Sequence, residues 1–223
     1  MEWQYPKQVN FKNTVKPILY SFRRCPYAIR ARMSLELCKI DVCLREVNLS
    51  DKPIEMLHIS PKGTVPILVL PDETVIDESL AIMIWSLKRF SHVNKKTHRW
   101  LDKSIYEPSM QLIHRNDNSF KALLDKYKYC TEPDEAANHR EKAEWFLILL
   151  NDLLEKRSCL LGDELTLADI AIFPFIRQFA LVDYDWFLNS RYKALVRWLQ
   201  YLLTLDCFNK VMLKQMVFRS AIG

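Results

Sequence analysis

Apolar residues along this chain follow two different rhythms. From residue 17 to residue 90 they come in short bursts, and beyond about residue 91 they recur at helical spacing. Pro17–Ser21 is a compact β-prone run, broken by Arg23, Arg24, Cys25 and Pro26. Proline suits the first turn of a helix, where its missing N–H costs nothing. After it Ile29, Met33 and Leu37 repeat at i, i+4, i+8 while Arg30, Arg32 and Glu36 fall elsewhere, the pattern of an amphipathic helix. Val42–Leu49 reads as a strand and Asp51–Ile59 as a short irregular helix. Gly63–Leu70 reads as a strand with a proline at its start, Pro71–Glu73 as a turn and Thr74–Ile76 as another strand. A helix then opens at Asp77–Ser79. This β-α-β-α-β-β-α order is a compact open-sheet unit.

The second rhythm predicts helices over 98–115, 134–157, 166–182 and 190–218. Thr166-Leu-Ala-Asp169 has the spacing of a capping box, Leu165 and Ile170 that of a hydrophobic staple, and Pro174 should kink the helix they start. The chain thus reads as α/β plus all-α. A first domain spans 15–90 and an all-helical one 94–218, with the joint near Lys88–Val93.

Composition narrows the function. Of 223 residues 49% are hydrophobic and 26% charged, ordinary for a folded protein. Three glycines against ten prolines leave no Gly-rich phosphate loop. The net charge of +5 is spread among acidic residues, and the short cluster at Asn94–Arg99 reads as a helix start, so no nucleic-acid partner is expected. No apolar run is long enough for a bilayer and the first residues are polar, which argues against a membrane or secretory reading. Six cysteines at irregular spacing, without a CxxC, fit free thiols in a reducing cytoplasm. The five histidines show no metal spacing, so no metal is expected.

One cysteine stands apart. A strand, then Cys25-Pro26, then a helix places the thiol at a helix N-terminus, where free N–H groups and the helix dipole favour a thiolate. Position 28 is Ala28, so a mixed disulfide at Cys25 has no internal partner thiol and needs one from outside.

Cys25-Pro-Tyr27, Asn48–Pro53, Ser60–Leu68, Asp77-Glu-Ser79 and Leu165–Phe179, in that order, resemble the glutathione transferase family. The match is to its cysteine-type omega class and bacterial omega-like relatives, from about Val15 to Val217. The resemblance implies a thioredoxin-like N-terminal domain with Pro66 in cis, a helical-bundle C-terminal domain and a homodimer. Glutathione would be the co-substrate. Cys25 would be the nucleophile and Tyr27 its neighbour. Val65 would pair its backbone with the cysteinyl part of glutathione, with Thr64 and Pro66 beside it in the binding site and Pro66 mainly structural. Glu78 and Ser79 would hold the γ-glutamyl end, Lys52 would face the glycyl carboxylate, and Leu49 would line the groove. Phe175, Phe179 and Trp186 would line a pocket for a small electrophilic, disulfide or glutathionylated second substrate. The implied activity is thioltransferase, dehydroascorbate reductase or deglutathionylation chemistry through a mixed disulfide. The competing reading is a non-catalytic binding protein on the same fold, like the stringent-starvation-type proteins that bind RNA polymerase.

Overall fold

A computed structural model of the chain describes residues 16–90 and 99–220. The N-terminal residues read above as polar, most of the basic cluster at 94–99 and the end of the expected joint lie outside the described residues. The first unit runs β1 (Ile18–Ser21), α1 (Pro26–Leu37), β2 (Cys43–Glu46), α2 (Ile54–Ile59), β3 (Ile67–Val69), β4 (Val75–Ile76) and α3 (Ser79–Phe90). The sheet order is β2-β1-β3-β4, with β1 parallel to β2 and antiparallel to β3, and β3 antiparallel to β4.

The two-residue strand repeat sorts this sheet's side chains. Ile18, Tyr20, Ile67 and Val69 pack with Met56 of α2 on one face, while Leu19 and Leu68 pack with Ala31 and Leu35 of α1 on the other. The observed strands are shorter than the apolar runs that announced them.

Helix α1 departs from expectation. Its polar positions do not face water: Arg30, Arg32 and Ser34 are buried along with Ile29 and Met33. The helix is wedged between the sheet and the second unit, packing against α3 and against two C-terminal helices. Buried arginines read in sequence as a solvent face, and only their partners, described below, make them tolerable inside.

The second unit holds a 3₁₀ turn (Arg99–Leu101), α4 (Lys103–Arg115), a π-type turn (Asn116–Phe120), α5 (Lys121–Tyr129), α6 (Pro133–Glu155), α7 (Leu167–Ala180), α8 (Tyr184–Asn189), α9 (Lys193–Leu203) and α10 (Asp206–Val211). Helix α5 was not expected. Its sequence is short and lysine-rich, and it forms because Phe120, Leu124 and Tyr127 bury against the bundle. The single helix expected over 190–218 is two, broken at Thr204–Leu205. The chain beyond them returns to the sheet, where Val217 pairs with Glu46 at the β2 edge and the Phe218 amide donates to the Glu46 carbonyl at 2.8 Å. Helix α7 runs through Pro174 without interruption. Among the described residues no helix is long and apolar enough to cross a membrane.

The capping box at α7 carries more than a helix end. Asp169, fully buried, accepts hydrogen bonds from the Thr166 amide (2.8 Å), the Thr166 hydroxyl (2.7 Å), the Leu160 amide (2.9 Å) and the Trp198 indole (2.8 Å). Burial pushes its carboxyl pKa up and the four donors pull it back. One carboxylate thus ties the α6–α7 loop, the start of α7 and α9 together. Asp169→Ala should therefore cost about 3 kcal/mol or more in urea unfolding, since four buried donors lose their acceptor. Asp169→Asn, which keeps the shape and one acceptor oxygen, should cost less. A loss below about 1 kcal/mol for the alanine variant would mean that the network is not structural.

Candidate functional site

Cys25 is the residue before α1, with Pro26 in the first helical position. Its amide donates to the Phe22 carbonyl at 3.1 Å, closing a tight turn, and its carbonyl accepts from the Ile29 amide at 2.9 Å, starting the helix. Two buried side chains pin this turn from behind. The Arg32 guanidinium donates to the Arg23 carbonyl at 2.7 Å, and the Glu46 carboxylate accepts the Arg23 amide at 2.8 Å. Both ends of Arg23 are held, so the cysteine two residues on has little freedom. Burial draws the Arg32 pKa down to about 10, which leaves it charged at neutral pH.

The half-buried thiol donates to the Val65 carbonyl, Sγ to O 3.8 Å. The Val65–Pro66 peptide is cis. Contrary to the sequence expectation of a depressed pKa, burial pushes the Cys25 thiol up. The amides of Ala28 and Tyr27 at the helix N-terminus, and then the charges of Lys121 and Arg32, oppose the shift without reversing it. The helix-start argument identified the right groups, but it omitted desolvation by the packed apolar face beneath the thiol. The Val65 carbonyl adds to this by accepting a hydrogen bond from the protonated form.

Two clefts flank this point and share Tyr27. One, of about 670 Å³, lies over Cys25, with Phe22, Arg24 and Leu49 from the first unit and Lys121, Arg177 and Leu181 from the second among its walls. The other, of about 760 Å³, is bounded by Thr64, Val65, Pro66, Glu78, Ser79 and Arg30. The residues expected to hold the cysteinyl and γ-glutamyl parts of a ligand are therefore together. Lys52 lines neither cleft; its ammonium lies over the Gly63 backbone, whose φ of +59° favours glycine.

Sequence reasoning missed three members of this second cleft. Lys62 pairs with Glu78 at 2.7 Å and Asp77 at 3.4 Å. Arg30, 2% exposed, donates its Nε to the Ser79 hydroxyl at 2.9 Å and its two terminal nitrogens to Asp117 at 3.0 and 2.9 Å. Because Arg30 fills an acceptor position on the Ser79 oxygen, the hydroxyl proton is free to donate into the cleft. Asp117 sits in the π-type turn of the second unit, so this fork joins the two units beside the site. Its partner lies 87 positions away, out of reach of any local pattern.

The aromatic trio expected to line a second-substrate pocket sits elsewhere. Phe175 and Phe179 are fully buried and line neither cleft. Phe175 meets the Tyr27 ring edge-on at 4.9 Å, and Trp186 packs on Phe179 at 6.2 Å with the Arg140 guanidinium over its ring. Their spacing on α7 faces the core rather than the cleft, and Arg177, Gln178 and Leu181 take the exposed side. Tyr20 is on the α2 face of the sheet, bonded by Arg45. All six cysteines are free thiols. Among the described residues one trio of ligand-type side chains, Cys130, Glu135 and His139, has donor atoms within 4.8 Å of one another, with Glu135 and His139 an ion-pair distance apart at 3.4 Å.

Comparison with known proteins agrees with this fold. Residues 24–88 match the description "Glutathione S-transferase, N-terminal domain" and residues 133–200 "Glutathione S-transferase, C-terminal domain". The chain is 31% identical over 177 residues to Glutathione S-transferase Z2 of Arabidopsis thaliana, covering 71% of this chain and 74% of that protein. It is 30% identical over 112 residues to Glutathione S-transferase DHAR2 of the same plant, a match to 46% of this chain that spans only half of that relative's length. In fold it resembles glutathione transferase Omega 3C from Trametes versicolor, with a TM-score of 0.76 at 23% identity and 93% of each chain covered. It also resembles a family member from Pseudomonas fluorescens solved with two glutathione bound, with a TM-score of 0.71 at 19% identity, covering 88% of this chain and 92% of that one.

The electrostatics of the thiol give a direct expectation. A raised pKa keeps the neutral thiol dominant at lower pH and brings in the thiolate only as pH rises through it. Alkylation of Cys25 in the ligand-free protein should therefore climb with pH to a midpoint at or above the ordinary cysteine value of about 8.5. Lys121→Met should move that midpoint further up. A midpoint below about 7 would mean that the helix amides and the cations outweigh burial at Cys25.

Proposed function

Because the chain belongs to the glutathione S-transferase family, we propose that it is an omega-like, single-cysteine member that carries out glutathione-dependent thiol–disulfide exchange. The observation that carries this reading is the position of Cys25. It is the residue capping a helix, its thiol opens into the cleft between the two units, and alanine stands where a resolving cysteine would be.

Glutathione would extend along the neighbouring cleft. Its γ-glutamyl carboxylate would accept from the Ser79 hydroxyl, which Arg30 holds with its proton outward, and from the free amides that open α3. Its ammonium would meet Glu78, taking the place of Lys62. The ligand's cysteinyl amide would take the Val65 carbonyl that accepts from the Cys25 thiol in the ligand-free chain. Removing that acceptor destabilises the protonated form, so ligand docking itself would favour the thiolate.

In the first step the Cys25 thiolate attacks one sulfur of a disulfide, the S–S bond breaks, and the departing thiolate takes up a proton. When the sulfur attacked belongs to glutathione, the enzyme carries a glutathionyl group. A second glutathione thiolate then attacks that glutathionyl sulfur, forming oxidised glutathione and returning the Cys25 thiolate. Conjugation to electrophiles would be a side activity, because a cysteine is prone to form the mixed disulfide.

Cys25→Ala should lower disulfide exchange with glutathione by at least about a hundredfold while the protein still binds a glutathione-affinity resin. Activity that survives the substitution would remove Cys25 from the mechanism. Wild type that binds the resin but exchanges no disulfide would favour the binding-protein reading. A second check uses S-methylglutathione, which cannot itself exchange. It should lower the alkylation midpoint of Cys25, and no change would contradict the coupling through Val65.

A further inference from the structure

Cationic side chains outnumber acidic ones around the cleft over Cys25. Arg24, Lys121, Lys128 and Arg177 contribute to its walls, against the single carboxylate Asp125, which Lys121 already pairs. Arg177 is the most telling of the four. It projects from α7 on the side opposite the buried phenylalanines, half out of water, with its guanidinium beside the Phe208 ring at 5.5 Å. Among the described residues it has no carboxylate partner, and burial first and then the charge of Arg23 depress its pKa. A partly buried guanidinium facing like charge is unfavourable by itself and becomes favourable when an anion sits against it. The same cleft offers apolar surface from Phe22, Leu49, Leu181 and Val182.

Resting on the single-cysteine reading above, we propose that the second substrate is an anion with an apolar body. Its acidic group, a carboxylate or sulfonate, pairs with Arg177 while its reactive sulfur faces Cys25. Arg177 is then a specificity-determining residue. It selects among acceptors by charge, and Arg24 and Lys128 at the rim speed the approach of anionic ones.

The test needs no glutathione, so it stands or falls separately from the glutathione reading. In a Cys43→Ser/Cys130→Ser background, which removes the most accessible other thiols, Cys25 is trapped in a single turnover by one of two aromatic disulfides. One is the dianionic dithiobis(nitrobenzoate) and the other the neutral dithiodipyridine. In each case the Cys25 thiolate attacks the S–S bond, a mixed disulfide forms, and one aromatic thiol leaves and is counted by its absorbance.

Arg177→Gln should slow trapping by the anionic reagent about tenfold and by the neutral one less than about twofold. Arg177→Lys should recover part of the loss, and added salt should slow the anionic reagent in the parent more than in the glutamine variant. Equal slowing of both reagents would show Arg177 acting on the thiol or the fold and would overturn the proposal. So would no slowing of either.

Discussion

The site depends on where one guanidinium can sit. Arg30 lies inside the molecule, on a helix that the sheet and the bundle enclose, and a charge at that depth is tolerable only if paired. Its fork to Asp117 satisfies the charge, its Nε holds the Ser79 hydroxyl, and its flat face lies against the rings of Tyr27 and Phe175 at 5.0 and 5.3 Å. Loss of the carboxylate would strand a buried charge at a cost of about 3–5 kcal/mol. The spacing of the two units, the orientation of the serine expected to meet the ligand, and the floor beside the thiol are therefore set by one pairing.

The thiol is under opposing demands. Helix amides and nearby cations would make it a standing thiolate, while the apolar packing beneath it and the Val65 carbonyl hold its proton. Burial wins in the ligand-free chain. A thiol kept neutral until a ligand claims the Val65 carbonyl is less exposed to adventitious oxidation, because reactivity follows thiolate character and access. The rigid Arg23 clamp has a matching role, since it fixes the thiol's position while its protonation changes.

The order of strands and helices in the first unit was legible because short apolar bursts and prolines mark strand edges and helix starts. Cys25 was legible for the same reason, and Asp169 through its spacing from Thr166. What stayed hidden came from tertiary pairing. Arg30 and Arg32 look like a water-facing stripe, and their burial follows from partners at Asp117 and Glu46. Lys62 looks like a surface lysine in a turn, yet it occupies Glu78. Phe175 and Phe179 carry the apolar signal of either a pocket or a core, and the choice depends on which face of α7 meets Phe120 and Tyr127. Helix α5 is too short to show a clear repeat and has no side-chain cap to mark its start, and it forms as Leu124 and Tyr127 bury against the bundle.

The most direct measurement is peptide mapping by mass spectrometry after brief exposure of the native chain to oxidised glutathione, followed by reduced glutathione. One glutathionyl group should appear on the peptide holding Cys25 ahead of the more exposed Cys43, and reduced glutathione should remove it. An adduct that forms on Cys43 and leaves Cys25 unmodified, or one on Cys25 that glutathione cannot release, would contradict a single-cysteine exchange mechanism.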